Sequence, residues 1–248
     1  MAAGVTVIDK SSTWRMDPAV PLVVPEINGA ALEEGAKLIA CPNCSTIGVL
    51  QAVAPIHQAA GVRHMTVTTL QAVSGAGTAG IAEMEAQYRD ASAGPQVFPA
   101  RIADNAVPWC GDAASDEEAV GATEEELKLR DESRRILAAP GLSVDATCVR
   151  VPVAVGHSAA IRLELERPLT LEQARAAIAA WPQVELVDDP AAASFPTPLD
   201  VVGRDVVQVG RVRVTAGDRP GLMLWQVGDN LRKGAATNAV QIAERLFA

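Results

Sequence analysis

Residues 37–73 constrain the fold more than any other stretch. Lys37–Ala40 is a short extended apolar run, and Pro42-Asn43 punctuates it. From Cys44, the segment STIGVLQAVAPIHQAAG carries apolar residues at helical spacing and ends on a glycine. Val62–Val73 is then rich in valine and threonine and reads as a buried strand, broken by Ser74-Gly75-Ala76-Gly77. Strand, helix and strand in succession call for a sheet with a helix laid across it.

The flanking sequence extends this pattern. Gly4–Asp9 (GVTVID) is a short strand closed by Ser11 and Ser12, and Pro21–Pro25 is a second extended piece. Ala79–Asp90 reads as helix, and the irregular, proline-bearing 91–113 as loop. Thr123 followed by Glu126 is a capping-box pattern opening a charged helix to about Leu137. Val144–Val155 and Ala160–Glu166 are strand-like, the second alternating cleanly in IRLELE. Thr170 with Gln173 caps a helix to about Trp181, and 184–187, 205–214 and 222–227 are further strands. The closing LRKGAATNAVQIAERLFA reads as a terminal helix. Strands joined sometimes by helices and sometimes by hairpin-length connections predict an α/β (α+β) fold, a mixed sheet with helices on one face.

At 248 residues, 49% hydrophobic, the chain can bury the core of one large domain or two modest ones. No stretch approaches the roughly 18–20 apolar residues of a membrane span, and MAAGVTVIDKSS has no basic segment leading into an apolar run. A soluble cytoplasmic protein is expected. The net charge of −9 argues against nucleic acid or an anionic membrane as partner. The four cysteines, at 41, 44, 110 and 148, do not suggest a disulfide framework in so long a chain. A zinc site lacks nearby ligands, and Cys41-Pro42-Asn43-Cys44 by itself is a weak thioredoxin-like signal.

Three constellations carry chemistry. In Pro42-Asn43-Cys44-Ser45-Thr46 a cysteine opens a helix, where the dipole and free N–H groups favour thiolate and could hold an oxyanion. A cysteine that only packs is the alternative. In Cys148-Val149-Arg150-Val151-Pro152-Val153-Ala154-Val155-Gly156-His157-Ser158, Arg150 offers a bidentate fork for a carboxylate and His157 a general base. An exposed arginine and a turn histidine would read the same way. Gln71-Ala72-Val73-Ser74-Gly75-Ala76-Gly77 runs a strand into a small-residue loop that lets a ligand approach the backbone.

Together with Asp229-Asn230-Leu231-Arg232-Lys233-Gly234-Ala235-Ala236-Thr237-Asn238, and in this order, these strings closely resemble the bacterial aspartate-semialdehyde dehydrogenase family. The likeness runs from Val7-Ile8-Asp9 and Ser11-Ser12-Thr13-Trp14-Arg15-Met16 to the terminal helix. It implies NADP(H)-dependent reduction of L-aspartyl 4-phosphate to the 4-semialdehyde and inorganic phosphate, on the route to lysine, threonine and methionine. By the same resemblance Cys44 is the nucleophile that forms an acyl-thioester and His157 the acid/base that handles its proton. Arg150 grips the substrate carboxylate, Gln71 orients the substrate, and Arg15, Asn43 and Lys128 bind phosphate. Glu125 is the acidic partner one helical turn from Lys128 and belongs with the substrate-binding set. Ser74 and Gly75 meet the nicotinamide half of the cofactor, and Asn230 adds a contact. No metal is implied, and a homodimer or higher oligomer is expected. Two arginines and a lysine suit a substrate bearing both carboxylate and phosphate, even within an acidic protein.

The family opens on a strand and a glycine-rich turn that cradles pyrophosphate, and no such motif precedes Val5. By the resemblance about three βα units are lacking, on the order of 80–90 residues at roughly 30 per unit. The implied layout is a dinucleotide-domain remnant over 1–43, a catalytic and dimerisation domain over 44–227, and a helix over 228–248 returning to the remnant. A fragment or internal start is expected, and a short paralogue acting as a non-catalytic dimerisation partner is the alternative. Lys10 stands where the family usually has Asn. Cys41, three positions before Cys44, could pair with it under oxidation, against the plainer reading of a small buried residue.

Overall fold

A computed structural model describes residues 4–32, 36–115, 119–215 and 221–247. The elements run β1 (Val7–Asp9), α1 (Pro25–Asn28), β2 (Leu38–Ala40), α2 (Cys44–Ala60), β3 (Val62–Gln71), α3 (Gly77–Arg89), α4 (Glu124–Ile136) and β4 (Ser143–Arg150). There follow β5 (His157–Leu165), α5 (Leu171–Ala179), β6 (Val184–Leu186), α6 (Pro198–Val201), β7 (Val207–Val214), β8 (Gly221–Gly228) and α7 (Thr237–Phe247). Among the described residues one sheet has the order β4-β3-β5-β8-β7-β6. Its outer pairs β3–β4 and β6–β7 are parallel and its inner pairs antiparallel, so the sheet is mixed as expected.

Alternation decides which face is covered. In β3, Met65 and Val67 point into the core while Thr66 and Thr68 point away. The core face lies under α2, whose Ile47, Leu50, Val53 and Ile56 are buried, with α4 and α5 beside it. On the opposite face Thr66, Thr68, Arg162, Met223 and Trp225 line an open trough with Phe195 and Pro196, about 680 Å³ in volume. The long helices α2, α4 and α5 thus share one face, as the connection pattern predicts, while the short α6 begins at Pro198 beside the trough.

β1 and β2 pair in parallel as a separate two-stranded sheet. They share a small core, Val23, Ile39 and Ile242, with α7, so the last helix closes back on the first residues. The structure departs from expectation where prolines and loops intervene. The extended piece at 21–25 is a single bridge, Leu22 to Ala40, before α1 begins at Pro25. The strand expected over 144–155 ends at Arg150, because Pro152 has no N–H to give to a ladder. The terminal helix begins as a π-helical turn, Arg232–Ala236, before α7. The Thr170–Gln173 box is complete, each side chain meeting the other's backbone N–H. At Thr123 the Glu126 carboxylate accepts the Thr123 N–H at 2.8 Å.

Candidate active site

β2 delivers Pro42-Asn43 to the head of α2, and Asn43 is the N-cap: its Oδ1 accepts from the N–H of Ser45 at 2.9 Å and of Thr46 at 3.3 Å. Cys44 is the next residue, half-buried, with Sγ 3.4 Å from His157 Nε2. His157 opens β5 after Gly156, whose φ of +102° requires glycine. The other ring nitrogen, Nδ1, accepts from the Ala72 N–H at 3.0 Å. Burial and the Arg150 charge push the imidazole pKa down from 6.5 to about 3, so the ring is neutral.

Burial opposes the thiolate expected of a helix N-terminus. Burial, reinforced by the Glu125 charge, pushes the Cys44 thiol up to about 12, against the smaller opposing effects of Arg150 and Ser45. Part of the expected oxyanion set is taken up within the protein: Asn43 Oδ1 takes the Ser45 and Thr46 N–H groups, and Glu132 Oε2 accepts the Asn43 N–H at 2.7 Å. Cys41 packs in the core with Sγ accepting from Asn238 Nδ2 at 3.4 Å, while Cys44 faces His157. This is the packing alternative to a redox pair, and all four cysteines are free.

Cys44 opens onto a cavity of about 450 Å³ lined also by Arg15, Asn43, Gln71, Gly75, Glu125, Lys128 and Arg150. At one side Arg150, from the end of β4, donates through Nη1 to the Ala72 carbonyl at 2.7 Å and stacks over the Phe98 ring at 5.8 Å. At the other, Arg15 Nη1 meets Glu132 Oε1 at 2.9 Å and Nη2 donates to the Lys10 carbonyl. Both guanidinium groups are buried, yet Nε of each has no partner among the described residues. Lys128 Nζ lies 3.5 Å from Glu125 Oε2. Glu125 Oε1 accepts from Asn43 Nδ2 at 3.0 Å and Gln71 Nε2 at 3.1 Å, tying α2, β3 and α4 together at the cavity wall. Gln71 is further fixed by Thr69 Oγ1 at 3.0 Å.

His157, Ser74 and Asn230 stand behind this lining. Asn230 Oδ1 accepts from the Gly156 N–H at 3.0 Å, and its Nδ2 donates to Ser74 Oγ at 3.0 Å. All eleven residues singled out in the sequence therefore gather in one region. A Cβ at Gly75 would stand 2.7 Å from Arg150 Nη1 and 3.2 Å from the His157 ring. Gly75→Ala is expected to raise KM for the carboxylate-bearing substrate about tenfold while leaving the urea midpoint near its parent value. An unchanged KM would show that Arg150 yields without cost.

Sequence reasoning missed the supports. Glu132 bridges Arg15 and the Asn43 N–H; burial raises its pKa, and Arg15 opposes the rise. Its signal was present, since Glu125, Leu129, Glu132 and Ile136 share the buried stripe of α4 at helical spacing. Glu83 and Gln87 on α3 hold the 91–113 loop: Glu83 Oε2 accepts the N–H groups of Gln96 and Val97, and Gln87 Oε1 those of Ile102 and Ala103. That anchoring places Phe98 against Arg150. Among the described residues no group of three or more His, Cys, Asp or Glu could hold a metal ion, and no helix is long and apolar enough to cross a membrane.

A thiol beside a histidine, over a cavity with a guanidinium at either side, is equipped for covalent catalysis on an anionic acyl group. Family models described as the semialdehyde dehydrogenase dimerisation domain and NAD-binding domain match residues 53–233 and 1–35. The chain is 46% identical to the aspartate-semialdehyde dehydrogenases of Aquifex aeolicus and Legionella pneumophila, over 98% and 99% of its own length and 72% of theirs. A crystal structure of aspartate semialdehyde dehydrogenase II from Vibrio cholerae, complexed with ASA, superposes with a TM-score of 0.93 at 43% identity, covering 99% of this chain and 73% of that one. The Candida albicans enzyme with NADP gives 0.74 at 26% identity, covering 98% and 71%. The chain belongs to the aspartate-semialdehyde dehydrogenase family.

Proposed function

We propose that the chain carries the catalytic and dimerisation part of an NADP(H)-dependent enzyme that interconverts L-aspartyl 4-phosphate and L-aspartate 4-semialdehyde plus inorganic phosphate. The observation that carries this reading is the Cys44–His157 pair at 3.4 Å beside a cavity flanked by Arg150 on one side and Arg15 with Lys128 on the other. A substrate with a carboxylate and an acyl phosphate matches those two poles.

In this mechanism Arg150 receives the α-carboxylate, while Arg15, Lys128 and the Asn43 amide group receive the phosphoryl group. Gln71 and Glu125 hold the intervening amino acid portion. Cys44 attacks the acyl carbon, phosphate leaves, and a thioester remains on the sulfur. His157 is the proton partner of Cys44. Gly75 and Ala76 present nothing larger than a methyl group to the cavity beside Cys44, with Ser74 and Asn230 stiffening that wall from behind. This suits the flat nicotinamide end of a cofactor, and Ser74, Gly75 and Asn230 would hold it there. The cofactor, when bound, supplies the hydride that takes the thioester to the aldehyde.

The small β1–β2 core with α7 supports assigning 1–43 and 228–248 to a dinucleotide-binding unit and 44–227 to the catalytic domain. The open face of the large sheet is the surface we assign to a second copy, in keeping with the dimerisation-domain match. A cytoplasmic location fits this reaction. The test is reduction of NADP by L-aspartate 4-semialdehyde, followed by nicotinamide absorbance with and without inorganic phosphate. Turnover that requires phosphate is expected. No turnover, together with tight association with a full-length homologue, would replace the catalytic reading by that of a silent partner subunit.

A further inference from the structure

The three residues assigned to the phosphoryl group come from distant parts of the chain, yet one helix sets all of them in place. Lys128 is on α4 itself, Arg15 follows β1, and Asn43 caps α2. Along α4, Glu125, Lys128, Glu132 and Arg135 follow one another at steps of three, four and three residues and so share one face. Their charges alternate, and the outer holds differ from residue to residue. Glu125 Oε1 accepts from Asn43 Nδ2 at 3.0 Å and Glu132 Oε2 from the Asn43 N–H at 2.7 Å, so Asn43 is held by side chain and by backbone. Arg15 is held in the same double manner. Its Nη1 meets Glu132 Oε1 at 2.9 Å, and its carbonyl, like that of Val20, accepts from the Arg135 guanidinium.

We propose that Glu132 is a positioning residue for the phosphoryl pole: it fixes Arg15 and Asn43 at one spacing beside Lys128, and Arg135 secures the backbone of Arg15. This rests on the functional reading above and deepens it with two residues that the mechanism leaves unused. Glu132 is not among the residues lining the cavity at Cys44, whereas Arg15, Asn43 and Lys128 all are, so it acts through them. A carboxylate is what the position demands. Arg15 and Asn43 reach different oxygens, and both come as donors. Glutamine has the same shape but a single acceptor, and its NH₂ would face one of the two donors.

The energetics of the position argue for a role beyond holding the fold. Glu132 is only 1% exposed, and burial raises its pKa against the opposing pull of Arg15, the Asn43 N–H and the Thr46 side chain. A well-packed apolar pair is often as stable as a buried ion pair, so stability alone does not call for these charges here. Nor does attraction explain them. A negative charge beside a phosphate site repels phosphate, so on charge alone its removal would tighten phosphate binding. Positioning predicts the opposite sign. Without Glu132, Arg15 and Asn43 lose their common tether and present their donors at no fixed spacing.

The two poles can be read separately and without turnover. Alkylation of Cys44 by iodoacetamide is timed by intact mass at constant ionic strength, against rising inorganic phosphate and, in a second series, rising L-aspartate 4-semialdehyde. In Glu132→Gln the phosphate concentration that halves the rate is expected to rise about tenfold. The corresponding semialdehyde concentration should move less than about twofold. Arg135→Gln spares both carboxylate ties and should raise the phosphate value about threefold. If Glu132→Gln does not fold, Arg135→Gln decides by the same comparison. A phosphate value that stays put or falls overturns the proposal. So does an equal rise for both ligands, the mark of a cavity loosened as a whole. Failure of phosphate to protect the parent chain is a different result: it counts against the functional reading itself, and the pole that Glu132 would place falls with it.

Discussion

Cys44→Ala is expected to lower phosphate-dependent turnover about 10⁴-fold or more, because it removes the atom that carries the acyl group. Arg150, Arg15 and Lys128 remain to bind the substrate, so KM should change far less than kcat. The fold should survive. Asn43, not Cys44, caps α2, and alanine is the best helix former for the first turn. Cys44→Ser tests the sulfur specifically. Its hydroxyl is far harder to ionise than the thiol and is the weaker nucleophile. We expect serine to lose nearly as much as alanine. Steady-state rates alongside matched unfolding curves check both, and a serine variant within tenfold of the parent would mean that the sulfur is not what the reaction requires.

Lys233→Met is expected to cost about 3–5 kcal/mol of stability, the range for stranding one half of a buried ion pair. The Lys233 side chain is fully buried, and its ammonium meets both Glu26 oxygens, Asn238 Oδ1 and Gln241 Oε1. Burial lowers its pKa and Glu26 resists the shift. Without the ammonium, Glu26 keeps only Gln51 Nε2, at 2.9 Å, among these partners. Adding Glu26→Gln should recover part of the loss, since an amide does not leave a charge behind. Urea unfolding of the two single variants and the double variant measures the coupling, and a single-variant loss under about 1 kcal/mol would place the pair in the class of exposed ion pairs. The effect should reach the site as well. Lys233 sits in the π-helical turn whose Gly234 backs onto Cys44, where a Cβ would stand 3.2 Å from the Cys44 Cβ.

Much of the sheet was legible because its faces differ. Thr66 and Thr68 against Met65 and Val67, and the alternation of IRLELE, reveal both strand and burial side without tertiary knowledge. The head of α2 was equally plain from Pro42-Asn43. Pairing Cys44 with His157 across more than a hundred residues was not a local signal and came through the ordered motifs of the family. The protonation of the thiol was hidden for a physical reason: a sequence displays the helix N-terminus but not the desolvation that opposes it, and here desolvation with Glu125 prevails. Glu132 and Lys233 read as ordinary charges in charged or polar runs. Only the packing reveals that one is buried under Arg15 and the other under Glu26.

The backbone of Ala72 limits how such a site can change. Its carbonyl anchors the arginine assigned to the substrate carboxylate, and its N–H anchors the histidine facing the nucleophile. Two functions that a designer would wish to adjust separately hang from the N–H and the carbonyl of one residue, with only its own φ and ψ between them. The span from carboxylate grip to reacting sulfur is therefore set in backbone, as on a fixed gauge. Accepting a homologous substrate one methylene longer would demand a new course for the chain after β3, and exchanging side chains around the cavity would not be enough.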